Sequence, residues 1–588
     1  MDNRTLRLLQ LTAEHFSSQR HQAYLVGGSL RNILLGEPFS DWDIVTGGDA
    51  PTLARQLADK LGGFYAYLHD KACRVIVPPL TAQKDVVEVG QEVIFDISSL
   101  KGNTLEHDLR QRDFTVNAIA APLDEIVRSI ELGEFGIQED GRGGYKRGTP
   151  LHFIDPLHGV GDIVARRLRA VDGEVFRHDP LRMLRAVRLM MRYTLEMDGW
   201  TEGLLMRDSS LLTQVAPERV RDELYAILAP DGARERLQFL DDHGLLTVLI
   251  PEFIPAREMS QPNPHHWDVL QHSLQTVGMW EKLVRLLQQP AEEIRQSPLE
   301  QMRHVQQVQQ SQQVQQSLDE SRKSSLEHMR QVQQSQQVQQ VRQTPDETRE
   351  SGLEHGEEGG LVEIQALLRE AEGQGIFAFA ALSAPVMKLA VLLHDIGKPA
   401  TRTVDEDGAV HFYGHPQTGV PLALQVMKRL KASTKDCRSV QQVTAHHMRP
   451  GQLGLSGPVT PRAVRRFFVD LGPTGIFVAL FSLADHLATR GPLLGSDEEE
   501  GQGGSKAGSW RQHVEVVCGL LRDYIRNRER IMPPRLISAE ELMKRLQLSP
   551  GPIVGELLEQ IAEAQAEGVI HSKEEALWFA EESVLRTK

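Results

Sequence analysis

At 588 residues the chain is long enough for about three to five domains, each with a core of its own. Its 65 basic and 80 acidic residues leave a net charge of −15, which excludes nucleic-acid binding by bulk charge and requires a local basic patch for any RNA contact. Three scattered cysteines, Cys73, Cys437 and Cys518, argue against a disulfide framework or a cysteine zinc cluster. No apolar run of about 18 residues suggests a membrane span, so the expectation is a soluble cytoplasmic protein without a membrane partner.

In chain order, residues 1–23 read as a polar amphipathic helix without a signal-peptide core. The apolar run Tyr24 to Val26 ends in Gly27-Gly28, and Ser29 leads into a helical pattern carrying Arg31. A strand, a tight glycine turn and a helix N-terminus gather backbone N–H groups and a cation where a phosphate can sit. Asp41 and Asp43 then flank Trp42 and run into Ile44-Val45. Residues i and i+2 of a strand share a face, so both carboxylates project together, as hard ligands of a divalent metal must. Either feature alone is common on solvated loops and strand ends; their order and spacing favour catalysis. Pro51 to Leu61 is helical in pattern, and β-like runs follow at 63–68, 73–77, 86–89 and 93–97. Asp96 in the last run is open to two readings, a third acid for the metal or a solvated strand position.

The apolar spacing of Thr104 to Ala120 predicts a helix with Arg112-Asp113 in its middle, and 123–150 read as a long loop. Asp155-Pro156 suits a turn. Asp179-Pro180 is good helix-start chemistry, and Arg182, Arg185, Arg188 and Arg192 then recur at steps of three or four. Such a stripe is usually a solvated basic face; four arginines with no matching acids repel one another, so a nearby polyanion is the simpler account. Residues 200–256 are helical in pattern, with Arg219 and Glu223 at i, i+4 placed to brace helices.

From His265 the character changes. His272, His394-Asp395, His415, His446-His447 and Asp485 each stand at an apolar helix edge, a recurrence that suits metal ligation better than isolated core histidines. Lys398 in His-Asp-Ile-Gly-Lys suits a phosphate. Between these residues, Leu299-Glu-Gln-Met-Arg-His-Val-Gln-Gln recurs as Leu326-Glu-His-Met-Arg-Gln-Val-Gln-Gln. The repeat is too poor in apolar residues to offset ordering entropy, so 288–378 is read as a low-complexity insert with no catalytic part. An acidic, glycine-rich linker around 496–508 precedes an amphipathic helix at 509–530 and a small helical module to 588.

Gly27-Gly28-x-x-Arg31 followed by Asp41-x-Asp43 resembles the nucleotidyltransferase head of the class II CCA-adding enzyme and bacterial poly(A) polymerase family. Gln111-Arg112-Asp113-Phe-Thr-Val-Asn-Ala118 resembles the family's RRDFTINA motif, and His178-Asp179-x-x-Arg182 its EDxxR motif. The ordered histidines and acids resemble the HD metal-dependent phosphohydrolase superfamily. Two departures stand out: Asn32 where the family has Asp, and His178 where it has Glu.

The resemblance implies an α+β architecture, a small mixed-sheet nucleotidyltransferase head followed by an elongated all-α body including an HD helical domain. It divides the chain into a catalytic head (1–150), a helical neck with base-recognition and RNA-binding motifs (151–256), an HD domain (257–495) interrupted by the 288–378 insert, a linker (496–508) and a tRNA-binding tail (509–588). It implies addition of CCA, or part of it, to tRNA 3′ ends from CTP and ATP without a nucleic-acid template. Asp41 and Asp43 would hold Mg²⁺; Gly28, Arg31, Arg112, Arg185 and Arg188 would meet the triphosphate; Asp179 and Arg182 would read the base edge. His272, His394, Asp395, His415, His447 and Asp485 would hold one or two divalent ions, with hydrolysis of RNA ends as a second activity. No DNA partner is expected. The rivals are a poly(A) polymerase, an enzyme adding only CC or only A, and a phosphohydrolase whose head is an RNA-binding module.

Overall fold

The computed structural model describes residues 2–38, 41–81, 88–89, 91–132, 137–139, 145–147, 152–262, 265–297, 360–455, 459–489 and 506–587. The chain divides into two compact units, Met1–Ile227 with Phe239–Leu249, and Leu228–Gln238 with Ile250–Lys588. The predicted head and most of the predicted neck share one unit, while residues 228–238 and 250–256 of the neck join the HD segment and tail in the other.

The first unit opens with α1 (Asn3–Ser18), capped by Asp2, whose side chain accepts the Thr5 N–H. There follow β1 (Ala23–Val26), α2 (Gly27–Leu35), β2 (Asp41–Thr46), α3 (Ala50–Leu61), β3 (Phe64–His69), β4 (Ala72–Val77), the short pair β5 (Leu80–Thr81) and β6 (Glu88–Val89), β7 (Val93–Ser99) and β8 (Ala120–Pro122). Six of these strands form a mixed sheet in the order β3-β4-β7-β2-β1-β8. β2 and β7 run parallel, with Asp43 opposite Asp96, and the other neighbours are antiparallel. Alternation sorts the two faces. Trp42, Ile44, Cys73, Val75, Phe95 and Ile97 are buried, as are Leu53, Ala54 and Leu57 of α3, which packs on β4 and β7. The opposite positions of β2, β4 and β7 carry Asp41, Asp43, Arg74 and Asp96.

Two expectations need correction here. The helix around Arg112 is α4 (Leu105–Arg110), which ends before that residue, and Phe114 is extended. Asp113 explains the stop: its Oδ1 accepts the Phe114 N–H and the Asn117 side chain, both at 2.9 Å, an alternative to helical bonds. The expected loop after 122 begins as α5 (Leu123–Glu131), which buries Leu123, Ile126 and Val127 at helical spacing and packs against α1. The rest of that loop up to Leu151 falls largely outside the described residues. Beyond it come α6 (Gly159–Val164), α7 (Val175–His178), α8 (Arg182–Tyr193), α9 (Gly199–Asp208) and α10 (Pro217–Leu228). Asp155 caps α6, accepting the Gly159 and Val160 N–H groups at 2.7 and 2.9 Å.

Among its described residues the second unit is helical apart from a hairpin of two-residue strands at Thr403–Val404 and Val410–His411. The helices Val269–Gln288, Pro385–Leu393, His415–Arg429, Thr434–His446 and Thr474–Thr489 form the part that carries the histidines and acids. The insert is shorter than 288–378. Ala291–Gln296 is a helix with Ile294 buried, and Gly360–Gly373 buries Leu361, Ile364, Leu367, Leu368 and Ala371 against the helix Lys506–Arg526. Gln365 Nε2 also donates to the carbonyls of Leu287 and Gln289, at 2.8 and 2.6 Å. That apolar spacing is helical and supplies the apolar residues in which the Gln-rich repeat is poor; the repeat itself lies outside the described residues. The tail helices Ala539–Leu546, Pro552–Ala566 and Lys573–Thr587 close over their own core of Ile537, Leu542, Leu557, Ile561 and Ala576. Among the described residues no single helix is long and apolar enough to cross a membrane.

Candidate active site and metal centre

The head site begins at the β1–α2 turn. Gly27 has φ +65°, a region that strains L side chains, and a Cβ there would lie 2.8 Å from Arg112 Nη1 and 3.3 Å from Asp43 Oδ2. A Cβ on Gly28 would stand 3.3 Å from the same Asp43 oxygen. The glycines thus let an arginine and a carboxylate close on the backbone. Ser29 fixes Asp43: its N–H and Oγ donate to Oδ2 at 3.2 and 3.1 Å, and Asp43 N–H returns a 2.6 Å bond to Oγ. Burial raises the Asp43 pKa, with Ser29 and then Arg112 pulling it back.

A cavity of about 530 Å³ lies over this turn. Gly28, Asp43, Asp96, Arg112, Asp179, Arg182 and Arg185 all line it. Seven of the expected residues are therefore brought together, counting Asp96, and Asp41 lies beside them on β2. Arg112 is steadied by Asp108 at 3.1 Å. Arg182 donates to the Arg112 and Gln111 carbonyls at 3.1 and 3.0 Å. Arg185 faces buried Asp113 at 3.5 Å. Burial would raise the Asp113 pKa, but Arg185, Asn117 and the Phe114 N–H outweigh it and hold the group low. Asp179 is gripped by Arg219 at 2.8 Å. His178, where the family carries an acid, is exposed.

Two expected phosphate contacts do not line the cavity. Arg31 is 6% exposed and donates to Asn32, Asn117 and Tyr193 at 2.7, 2.5 and 2.8 Å. Asn32 thus supplies the acceptor, without charge, where the family has a carboxylate. Arg188 is forked on Glu223 at 2.7 and 3.3 Å. Two arginines of the stripe, Arg185 and Arg188, meet acids after all, Asp113 and Glu223, which come from other elements. Sequence reading also missed Ser29, Asp113 and Arg74. Alternation along β4 could have put Arg74 on the acid face, but its pairing with Asp96 is a matter of sheet register.

The acid face suits a divalent cation. Asp41, Asp43 and Asp96 are hard oxygen donors on neighbouring strands, and a cation already stands among them: Arg74 forks on Asp96 at 2.8 Å with both bonds and reaches Asp41 at 3.8 Å.

In the second unit all six expected ligands converge. His272, His394 and Asp395 form one trio of ligand atoms, and Asp395, His415 and His447 another, each within 4.8 Å, so Asp395 is common to both. Asp485 Oδ1 lies 2.9 Å from His272 Nε2 and 3.6 Å from His394 Nε2. His394, His415 and His447 turn Nδ1 to the carbonyls of Val391, Phe412 and Thr444, at 2.8, 2.8 and 3.0 Å. An Nδ1–H donating outward leaves a lone pair on Nε2 aimed inward, the arrangement of a metal-binding histidine. His415 and His447 point Nε2 at each other across 3.1 Å, and buried His394 Nε2 lies 3.1 Å from Asp395 Oδ2 but makes no well-directed hydrogen bond among the described residues. Facing lone pairs and an orphaned nitrogen are relieved by a cation, so these residues fit one or two divalent ions. Asp395 and Asp485 lie well below their usual range despite burial and raise buried His394 to about 10, so a metal ion taken up at His394 Nε2 would replace a proton that these acids hold there. Lys398 reaches Asp395 and Gln261, both at 2.6 Å. A cavity of about 520 Å³ opens over the cluster, lined also by His265, Tyr413 and His513.

A mixed sheet with paired acids beside a glycine turn, an arginine helix after it and a His/Asp centre in a helical bundle define the class: a nucleotidyltransferase head joined to an HD-type body. Family models match in the same order, a poly(A) polymerase head domain over 23–130, a "probable RNA and SrmB-binding site of polymerase A" over 196–257 and an HD domain over 369–490. The chain therefore carries a poly(A) polymerase-type head domain and an HD domain, and its full-length relatives are tRNA nucleotidyltransferases. It is 27% identical to the A-adding tRNA nucleotidyltransferase of Deinococcus radiodurans, covering 95% of both chains. It is 26% identical to the CC-adding tRNA nucleotidyltransferase of Thermus thermophilus, covering 95% of this chain and 92% of that one. Its fold is similar to that of a CCA-adding enzyme in an apo form, with TM-score 0.52 and 17% identity over 100% of this chain and 97% of that one.

Proposed function

We propose that this protein is a tRNA nucleotidyltransferase that adds CCA, or part of it, to tRNA 3′ ends from CTP and ATP, releasing pyrophosphate. The observation that carries this reading is the single cavity that Asp43 and Asp96 share with Gly28, Arg112, Asp179, Arg182 and Arg185. Mg²⁺ held by Asp41 and Asp43 would, when bound, activate the primer hydroxyl and offset charge on the leaving pyrophosphate. Arg112 and Arg185 neutralise the triphosphate, and the Gly28 turn lets its phosphates approach the backbone. Asp179 offers an acceptor and Arg182 a fork of donors to the base edge, a template made of protein. Arg219 does the positioning of Asp179 that the missing acid at 178 would share. Arg31 and Arg188 act from beneath, by fixing α2 and α8. The tail grips the tRNA, and the HD centre hydrolyses phosphoesters at RNA ends.

The test uses the full chain with tRNAs lacking CCA or the last A, given CTP and ATP singly and together. Up to three added nucleotides are expected, with loss of addition in the Asp41→Ala/Asp43→Ala double variant. The similarity to both A-adding and CC-adding relatives over the full length makes the single-nucleotide reactions decisive between partial and complete addition. Long A tails on unrelated RNA would make the protein a poly(A) polymerase instead. A principal activity untouched by the double substitution would make it a phosphohydrolase.

A further inference from the structure

The acid face of the head sheet holds three carboxylates within two adjacent strands, and like charges so placed repel. Arg74 answers them. It stands opposite Asp96 in the β4–β7 register, and the resulting fork is the strong bidentate kind, with Nε and Nη2 each 2.8 Å from a carboxylate oxygen. The same Nη2 is 3.8 Å from Asp41 Oδ2, one of the two acids assigned to the metal. The pairing with Asp96, then Asp41 and Asp43, raises the Arg74 pKa against its partial burial. An arginine cannot shed its charge, so a divalent ion arriving at Asp41 meets a fixed cation beside its ligand.

We propose that Arg74 is a positioning residue that occupies the place of a cation at the head's carboxylates and sets the divalent-ion concentration at which Asp41 is given up to the metal. The inference rests on the reading of Asp41 and Asp43 as the metal site. Arg74 keeps Asp96 in either state through its fork, while its weaker contact to Asp41 is the one that yields. Removing the charge then tightens metal binding; keeping it on a different side chain does not. With the side chain about a third exposed, screening limits the effect to roughly five- to twentyfold.

The experiment is Mn²⁺ binding to the full-length protein without nucleotide, followed by electron paramagnetic resonance. Wild type, Arg74→Met, Arg74→Gln and Arg74→Lys are each compared with the same protein carrying Asp43→Asn, and the head component is the part that Asp43→Asn removes. This separates it from Mn²⁺ held by the HD centre. The expected result is a head Kd lowered about five- to twentyfold in Arg74→Met and Arg74→Gln, and within about twofold of wild type in Arg74→Lys. Circular dichroism checks folding, and Arg74→Gln carries the test if Arg74→Met is unfolded. An unchanged or raised Kd in the neutral variants overturns the inference while leaving the metal site standing. No Asp43-dependent Mn²⁺ in wild type overturns both.

Discussion

Arg219→Ala tests the base-reading assignment without touching the reacting groups. Arg219 sits on α10 and forms a 2.8 Å ion pair with Asp179, with side-chain exposures of 54% and 27%. A pair this open to solvent is worth about 0.2–1 kcal/mol, or roughly 1.4- to 5-fold in binding. Asp179 is not released altogether, because its Oδ1 also accepts the Leu181 N–H at 3.3 Å. The loss should therefore appear as a rise of at most about fivefold in KM for CTP and ATP, with kcat nearly unchanged. Steady-state incorporation of each nucleotide into a defined tRNA measures both constants. Asp179→Asn, which exchanges an acceptor for a donor at the base edge, should instead alter the choice between CTP and ATP. Two results would refute the reasoning. A loss above about 50-fold in kcat/KM for Arg219→Ala would mean that Arg219 itself contacts the substrate. An Asp179→Asn enzyme with wild-type selectivity would remove Asp179 from base recognition.

Two further outcomes follow from buried groups. Lys388→Met should cost about 3–5 kcal/mol in urea unfolding, because it leaves Glu281 charged and buried after loss of a 2.7 Å pair in which both side chains are under 7% exposed. A cost below about 1 kcal/mol would show that the pair is not buried in solution. Gly27→Ala should raise nucleotide KM by about tenfold or more, since the new methyl meets Arg112 Nη1 at 2.8 Å and the φ of +65° is strained for alanine; an unchanged KM would place Arg112 away from the triphosphate.

Much of the site was legible because its signals are local. The Gly27-Gly28 turn, the Asp41-x-Asp43 pair and the Arg182 stripe each depend on spacing within one element, where the periods of 2 and 3.6 apply. The six His and Asp residues of the second centre were legible for the same reason, each standing at an apolar helix edge. What misled was also local. Helical spacing continued past Arg110, yet Asp113 took the backbone N–H of Phe114 for itself. The Gln-rich repeat drew attention away from Leu361, Ile364 and Leu368, whose helix packs against Lys506–Arg526.

By itself, then, the sequence determined which chemistry the chain carries: a phosphate turn, a carboxylate pair, a base-reading motif and a set of imidazole ligands. Tertiary structure decided how the charges are balanced. Asp113, Glu223 and Asp96 neutralise Arg185, Arg188 and Arg74 from elements far along the chain, and Arg31 is buried against Asn32, Asn117 and Tyr193 instead of lining the cavity. The reason is physical. Side-chain direction follows from the residue's place in its own element, but a charge's partner is whatever sheet register and helix packing bring within a few ångströms of it.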